Sequence, residues 1–157
     1  VGYLSQDVRL FDGTLKDNLV FGHEDATDSD IIEAVRIAGL DRLISENAKG
    51  LDMPIYAGGQ NLSSGQRQSV GIARLILSQP RMFLMDEPTS SMDQQSEAEF
   101  IRNFSSHLSA KTTLMIVTHK PQILALVNRI LVIDSGRIVM DGPRDAVLEK
   151  LAGSAKS

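Results

Sequence analysis

Three short apolar runs in this sequence each end on polar residues: Val1-Gly2-Tyr3-Leu4-Ser5 on Gln6, Met82-Phe83-Leu84-Met85 on Asp86-Glu87, and Thr113-Leu114-Met115-Ile116-Val117-Thr118 on His119. An amide, two carboxylates and an imidazole form a catalytic inventory. One carboxylate can hold Mg²⁺ through water while its neighbour, pointing elsewhere, orients an attacking water. Ligands of open α/β sheets bind beyond the carboxyl ends of the strands, so these residues share one rim if the three runs are parallel neighbours. The alternative for Asp86-Glu87 is a solvated acidic turn, and for His119 a hydrogen-bonded histidine closing a strand. His23 and His107 have no partners at metal-ligand spacing and read as surface residues.

A second constellation is Asn61-Leu62-Ser63-Ser64-Gly65-Gln66-Arg67-Gln68, followed by Val70, Ile72, Ala73, Ile76 and Leu77 at helical spacing. A serine there can cap the helix, and amides beside a glycine at a helix N-terminus form a phosphate cradle. Capping alone would account for the serines, but not for a glycine and a glutamine following so closely. The phosphate-binding pattern Gly-x-x-x-x-Gly-Lys-Ser/Thr does not occur, since neither Lys111-Thr112 nor Lys156-Ser157 follows a glycine.

The elements that must position these residues follow from hydrophobic periodicity. Strands are expected at 1–5, 82–86, 113–118, 129–134 and 137–141. Helical patterns alternate with them, which predicts an α/β fold with a mostly parallel sheet. Ser135-Gly136 predicts a hairpin joining the last two strands at one edge of the sheet. Residues 14–78 read as helices without a strand. Thr14 caps the first, with Asp17 as its capping-box partner. Glu24, Asp25, Asp28 and Asp30 lead into Ile31, Ile32, Val35 and Ala38, which stop at Gly39. A short helix over 41–48 and a glycine-rich loop over 49–60 follow. Asp93 opens a helix to about residue 108, and Pro143 opens the last one, ahead of a loose tail over 153–157.

The chain has 157 residues, no cysteine and a net charge of -4, with 42% hydrophobic and 23% charged residues. This is the composition of one globular domain that needs no disulfide or thiolate metal to hold its core. The charge gives no general attraction to nucleic acid. The longest apolar runs, 123–127 and 130–133, are far shorter than the ~20 residues of a bilayer span. The first residues lack the pattern of a secretory signal, and a start at Val1 inside a strand suggests a fragment.

Taken in order, Tyr3-Leu4-Ser5-Gln6 resembles a Q-loop, Leu62-Ser63-Ser64-Gly65-Gln66 a signature motif, Met82-Phe83-Leu84-Met85-Asp86-Glu87-Pro88 a Walker B, Ser90-Ser91-Met92-Asp93 a D-loop and Val117-Thr118-His119 an H-loop. Together they resemble the nucleotide-binding domain of ATP-binding cassette (ABC) transporters over almost the whole chain. The resemblance implies a P-loop NTPase-like sheet with an inserted all-helical subdomain at 14–78. Residues 1–13 and 79–157 would be part of the catalytic core, with its N-terminal portion, A-loop and Walker A lying before Val1. It also implies ATP and Mg²⁺ as cofactors. Gln6 would sense the γ-phosphate and Mg²⁺, Asp86 would hold the metal through water, Glu87 would polarise the attacking water and His119 would contact the γ-phosphate. Ser63 and Gly65, with Ser64 and Gln66 beside them, would face ATP on an opposite cassette, and Asp93 would shape the interface between the two.

The implied partners are that second cassette and a transmembrane domain, with no nucleic acid, at the cytoplasmic face of the inner membrane. Leu10-Phe11-Asp12-Gly13-Thr14-Leu15-Lys16-Asp17-Asn18-Leu19 resembles the stretch that exporters place beneath their membrane domain, and the whole is similar to bacterial type I secretion ATPases. Two departures stand out: Ser64 replaces the usual glycine of the signature, and the loop 54–60 lacks the acid that exporters carry there. The isolated chain is expected neither to bind ATP well nor to hydrolyse it. A soluble cassette acting on DNA or ribosomes and a noncatalytic regulatory cassette are the alternatives, weakened respectively by the exporter-like stretch and by the presence of Glu87 and His119.

Overall fold

Apolar residues alternating along three short strands build the sheet that carries the strand-end residues. The computed structural model describes residues 1–154, which fall into two compact units, 1–120 and 121–154. In the first unit β1 (Gly2–Leu4) is followed by β2 (Gly13–Thr14), α1 (Leu15–Val20), α2 (Asp28–Ala38) and α3 (Asp41–Glu46). Then come β3 (Pro54–Ile55), α4 (Ser64–Leu77), β4 (Met82–Asp86), α5 (Gln94–His107) and β5 (Thr113–Val117).

The sheet runs in the order β1-β4-β5, and both pairings are parallel. Its register aligns Leu4 with Met85 and Met85 with Ile116, so the carboxyl ends of all three strands lie at one edge. Phe83, Met85 and Leu4 are buried on the covered face, where Phe104 of α5 meets Phe83 edge-on and stacks with Phe100. On the other face Tyr3, Met115 and Val117 are more than half exposed.

Helix α4 is buried nearly all round, as a central helix must be. It comes so close to β1 that a Cβ on Gly71 would lie 2.6 Å from the Val8 side chain and 3.0 Å from that of Leu4. Helix α2 starts with a Thr27–Asp30 capping box and stops at Gly39 in the left-handed region (φ 72°). Its buried stripe is Ile31, Ala34, Val35, Ile37 and Ala38, while Ile32, expected on the apolar face, is 63% exposed. The stretch expected to be free of strands contains a short antiparallel pair, Gly13 opposite Ile55 and Thr14 opposite Pro54. Two-residue strands carry too little periodicity to be read from sequence, and these two are separated by residues 15–53.

In the second unit, β6 (Arg129–Asp134) and β7 (Arg137–Pro143) form the expected hairpin, with Ser135 and Gly136 both at positive φ (49° and 74°), as a tight two-residue turn requires. The hairpin is a two-stranded sheet of its own rather than an edge of the parallel sheet, because the turn sets its pairing locally and needs no third strand. Arg129 and Asp141 join across it through two 2.7 Å hydrogen bonds, which hold the Asp141 carboxyl below the usual carboxylate range. Helix α6 (Arg144–Ser154) follows β7 directly and includes Gly153 and Ser154, which were expected in the tail; 155–157 lie outside the described residues. No helix among the described residues is long and apolar enough to cross a membrane.

Candidate functional site

Strand β4 runs straight into Asp86 and Glu87, and the chain turns there sharply enough to put Glu87 at φ 46°. A non-glycine residue in that region costs about 1–3 kcal/mol and persists only where its surroundings hold it. The Glu87 amide donates to the Val117 carbonyl of β5 at 2.9 Å, and its own carbonyl accepts from Gln68 Nε2 at 2.7 Å. At the carboxylate, Oε2 accepts from Thr118 Oγ1 at 3.3 Å. Oε1 is buried without a hydrogen-bond partner, 3.6 Å from His119 Nε2. The His119 side chain is 96% exposed, so it is not the hydrogen-bonded strand-end histidine that was its alternative reading.

Asp86 is half-buried, and exposed Gln6 lies two residues beyond β1 at the same edge of the sheet. Neither side chain has a hydrogen bond within the described chain. No cluster of three or more histidine or acidic residues able to hold a metal ion occurs among the described residues. Magnesium, however, is usually held by one or two protein oxygens with phosphates and waters supplying the rest. Gln6 and Asp86, whose side-chain oxygens are not taken up by hydrogen bonds, fit that donor set.

Ser63 caps α4. Its hydroxyl accepts from the Gln66 amide at 3.1 Å, and Gln66 Oε1 accepts from the Ser63 amide at 2.9 Å. The capping box therefore does account for the glutamine, a local role that the spacing had left unassigned. It leaves the amides of Ser64 and Gly65, at the exposed start of the helix, without acceptors within it. Gly65 has a packing reason as well: a Cβ there would sit 2.8 Å from the Ser91 carbonyl oxygen. Asp93 caps α5 through Ser96, whose backbone amide and then hydroxyl hold the Asp93 carboxyl below the usual range. Ser63, Gly65, Gln66 and Asp93 line one cleft of about 380 Å³, with Ser91, Ser96 and Arg42. Glu87, Asp86, His119 and Gln6 stand outside it, at the sheet edge.

The helix opened by Ser63 is tied to the loop that carries Glu87. Buried Gln68 bridges the two groups, donating to the Glu87 carbonyl and accepting from the Ser91 amide at 3.2 Å. Sequence reasoning passed over Gln68, although a polar residue one turn before Ile72 on an apolar stripe was a usable signal. It also missed Lys120, which donates to the Thr89 and Met92 carbonyls at 2.7 and 3.2 Å and lies 3.6 Å from buried Glu97. Glu97 in turn accepts from Thr89 Oγ1 at 2.5 Å. Asn18, fully buried, holds the loop before α1 by bonding both backbone groups of Phe11, and Arg74 of α4 clamps it from the other side. His107, expected at the free surface, packs on Phe104 and lies 3.4 Å from Glu33 of α2.

The family described as ABC transporter matches residues 1–90. The chain is 35% identical over 155 residues to the glutathione/L-cysteine transport system ATP-binding/permease protein CydC of Haemophilus influenzae, covering 98% of this chain and 27% of that protein. It is 38% identical over 148 residues to the type I secretion system ATP-binding protein PrsD of Rhizobium meliloti, covering 94% and 25% respectively. A solved bacterial Atm1-family ABC exporter with ATP bound superposes with a TM-score of 0.86 at 30% identity, over 95% of this chain and 26% of that one. The chain thus spans about a quarter of the length of the curated relatives it matches. A family match over more than half of the chain and a shared fold over nearly all of it give one account of both the motif order and the strand order: the chain belongs to the ABC transporter family.

Proposed function

We propose that this chain is part of a nucleotide-binding domain whose ATP hydrolysis drives export across a membrane. Residues 14–78 would be its helical subdomain, with 1–13 and 79–157 belonging to the catalytic core. The observation that carries the reading is the Glu87 carboxylate, held at the end of a parallel strand with one oxygen buried, orphaned and beside His119. A carboxylate so placed can orient a water and accept its proton as that water attacks phosphorus. His119, exposed and adjacent, would contact the γ-phosphate. Gln6 and Asp86 would hold Mg²⁺, which when bound neutralises charge on the phosphates.

Ser63, Ser64, Gly65 and Gln66 line the start of α4, away from the sheet edge, so they would receive the triphosphate held by a second cassette. The Ser64 and Gly65 amides supply donors for it, and Asp93 would lie at the interface between the two. The partners are accordingly a second nucleotide-binding domain and a transmembrane domain that anchors the pair at the cytoplasmic face of the membrane. Relatives named as ATP-binding/permease and type I secretion proteins support an exporter, and nothing in the charge favours nucleic acid.

The test is Glu87→Gln in a complete transporter carrying this chain. Turnover should fall by roughly 10²- to 10⁴-fold while ATP binding persists. A variant that turns over ATP at the parent rate removes Glu87 from the role of base.

A further inference from the structure

Gln68 lies one turn inside α4 and is only 2% exposed. A buried carboxamide must have its polar groups satisfied, and both of this one's partners belong to a single loop on another element. Nε2 donates to the Glu87 carbonyl at 2.7 Å, and Oε1 accepts from the Ser91 amide at 3.2 Å. Glu87 is the residue of that loop in the left-handed region, at φ 46°. Its amide is tied to Val117 of β5, so the peptide before its Cα is gripped by the sheet and the peptide after it by Gln68. A strained residue keeps its conformation only while such grips hold, and that conformation sets the direction in which the Glu87 side chain leaves the backbone.

We infer that Gln68 is a positioning residue for Glu87. It fixes the peptide of the base and, through Ser91, the loop that follows, so that the location of Oε1 depends on where α4 sits. Helix α4 is the same helix that opens with Ser63. In a closed pair of cassettes, a triphosphate seated at the start of α4 would therefore hold in place the base that serves the other triphosphate. Productive alignment of Glu87 then requires the helix to be engaged, and Gln68 is the direct hydrogen-bonded strut between the two. This inference rests on the reading of Glu87 as the base.

The test uses a complete transporter carrying this chain. Gln68→Met keeps the length of the side chain and removes both hydrogen bonds. Gln68→Glu keeps an acceptor for Ser91 and removes the donor to Glu87. Both should lower kcat on the order of 10- to 10²-fold, the scale of a small misplacement of a catalytic group, while leaving KM for ATP and ATP-dependent pairing of the cassettes unchanged. In a Glu87→Gln background Gln68→Met should cause no further loss, because it acts through a carboxylate no longer present. Parent kcat in Gln68→Met, the same proportional loss in both backgrounds, or a rise in KM with kcat intact would each overturn the inference. So would unfolding of both variants, which would make Gln68 a structural residue. Parent turnover in Glu87→Gln alone would instead sink the underlying assignment of the base, so the two failures are distinguishable.

Discussion

Gly65 separates two forces that usually go unnoticed because they act on the same residue. A glycine in a helix interior is worse than alanine by roughly 0.5–1 kcal/mol, and in the first turn, where Gly65 lies, the same preference in weaker form would make Gly65→Ala mildly stabilising. Here the added Cβ would meet the Ser91 carbonyl at 2.8 Å, and that atom is backbone in a loop already held by Gln68. The contact should win. Gly65→Ala is expected to destabilise the domain by about 1–3 kcal/mol, the range of overpacking, as read from urea unfolding. A rise in the unfolding midpoint would mean that the loop yields freely and that propensity decides. At this scale the caps were legible: Thr14, Ser63 and Asp93 are short polar residues before apolar periodicity, and each bonds the backbone three residues on. Gln68 was not legible in the same way, because its partners are 19 and 23 residues away in sequence.

Elements in this fold are joined by a few buried polar clusters as much as by apolar contact. The segment between β4 and α5 is held from beneath by Lys120, which follows His119 and gathers the Thr89 and Met92 carbonyls with the Glu97 carboxylate. Lys120→Met would leave Glu97 buried with only the Thr89 hydroxyl for company. Removing one partner of such a pair costs several kcal/mol; the Lys120 side chain is 29% exposed, so the loss should be near the low end, about 3 kcal/mol. Chemical denaturation measures this, and an unchanged midpoint would show that water replaces the ammonium. Asn18 and Arg74 act likewise on the loop before α1. Helix and strand positions were readable because periodicity is local. Lys120 and Asn18 were not, because a lysine after a histidine or an asparagine in a helix reveals nothing of the backbone it will meet.

Over the whole molecule, three helix-start carboxylates contribute to the response to acid, beside the Asp141 carboxylate paired with Arg129. Asp17, Asp30 and Asp93 are each held below the ordinary carboxylate value, Asp17 and Asp93 chiefly by backbone amides and Asp30 chiefly by the Thr27 hydroxyl. A carboxylate whose value is lower folded than unfolded contributes stability above its unfolded value and loses it as pH falls through the folded one. The melting temperature should therefore fall progressively below about pH 4, and less steeply in a variant with all three changed to asparagine. Parallel profiles for the two proteins would show that other groups control acid unfolding. The 157-residue chain contains no Gly-x-x-x-x-Gly-Lys-Ser/Thr, so by itself it offers no lysine-bearing phosphate loop. ATPase assay of the purified chain should find no turnover, and measurable hydrolysis would contradict that expectation.

Composition, periodicity and motif order determined by themselves the α/β class, the strand ending in Asp86 and, to within one residue, the strand that ends at Val117, the helix caps and the resemblance that names the family. All of these depend on residues near one another in sequence or on their order along it. Tertiary structure alone decided that the serine-led helix leans on the acid-bearing loop and that His107 belongs to an inter-helix contact. It also decided that Gln68 reaches the Glu87 carbonyl. A hydrogen bond between distant residues depends on the direction in which two separately formed elements approach, and one-dimensional spacing carries no record of that direction.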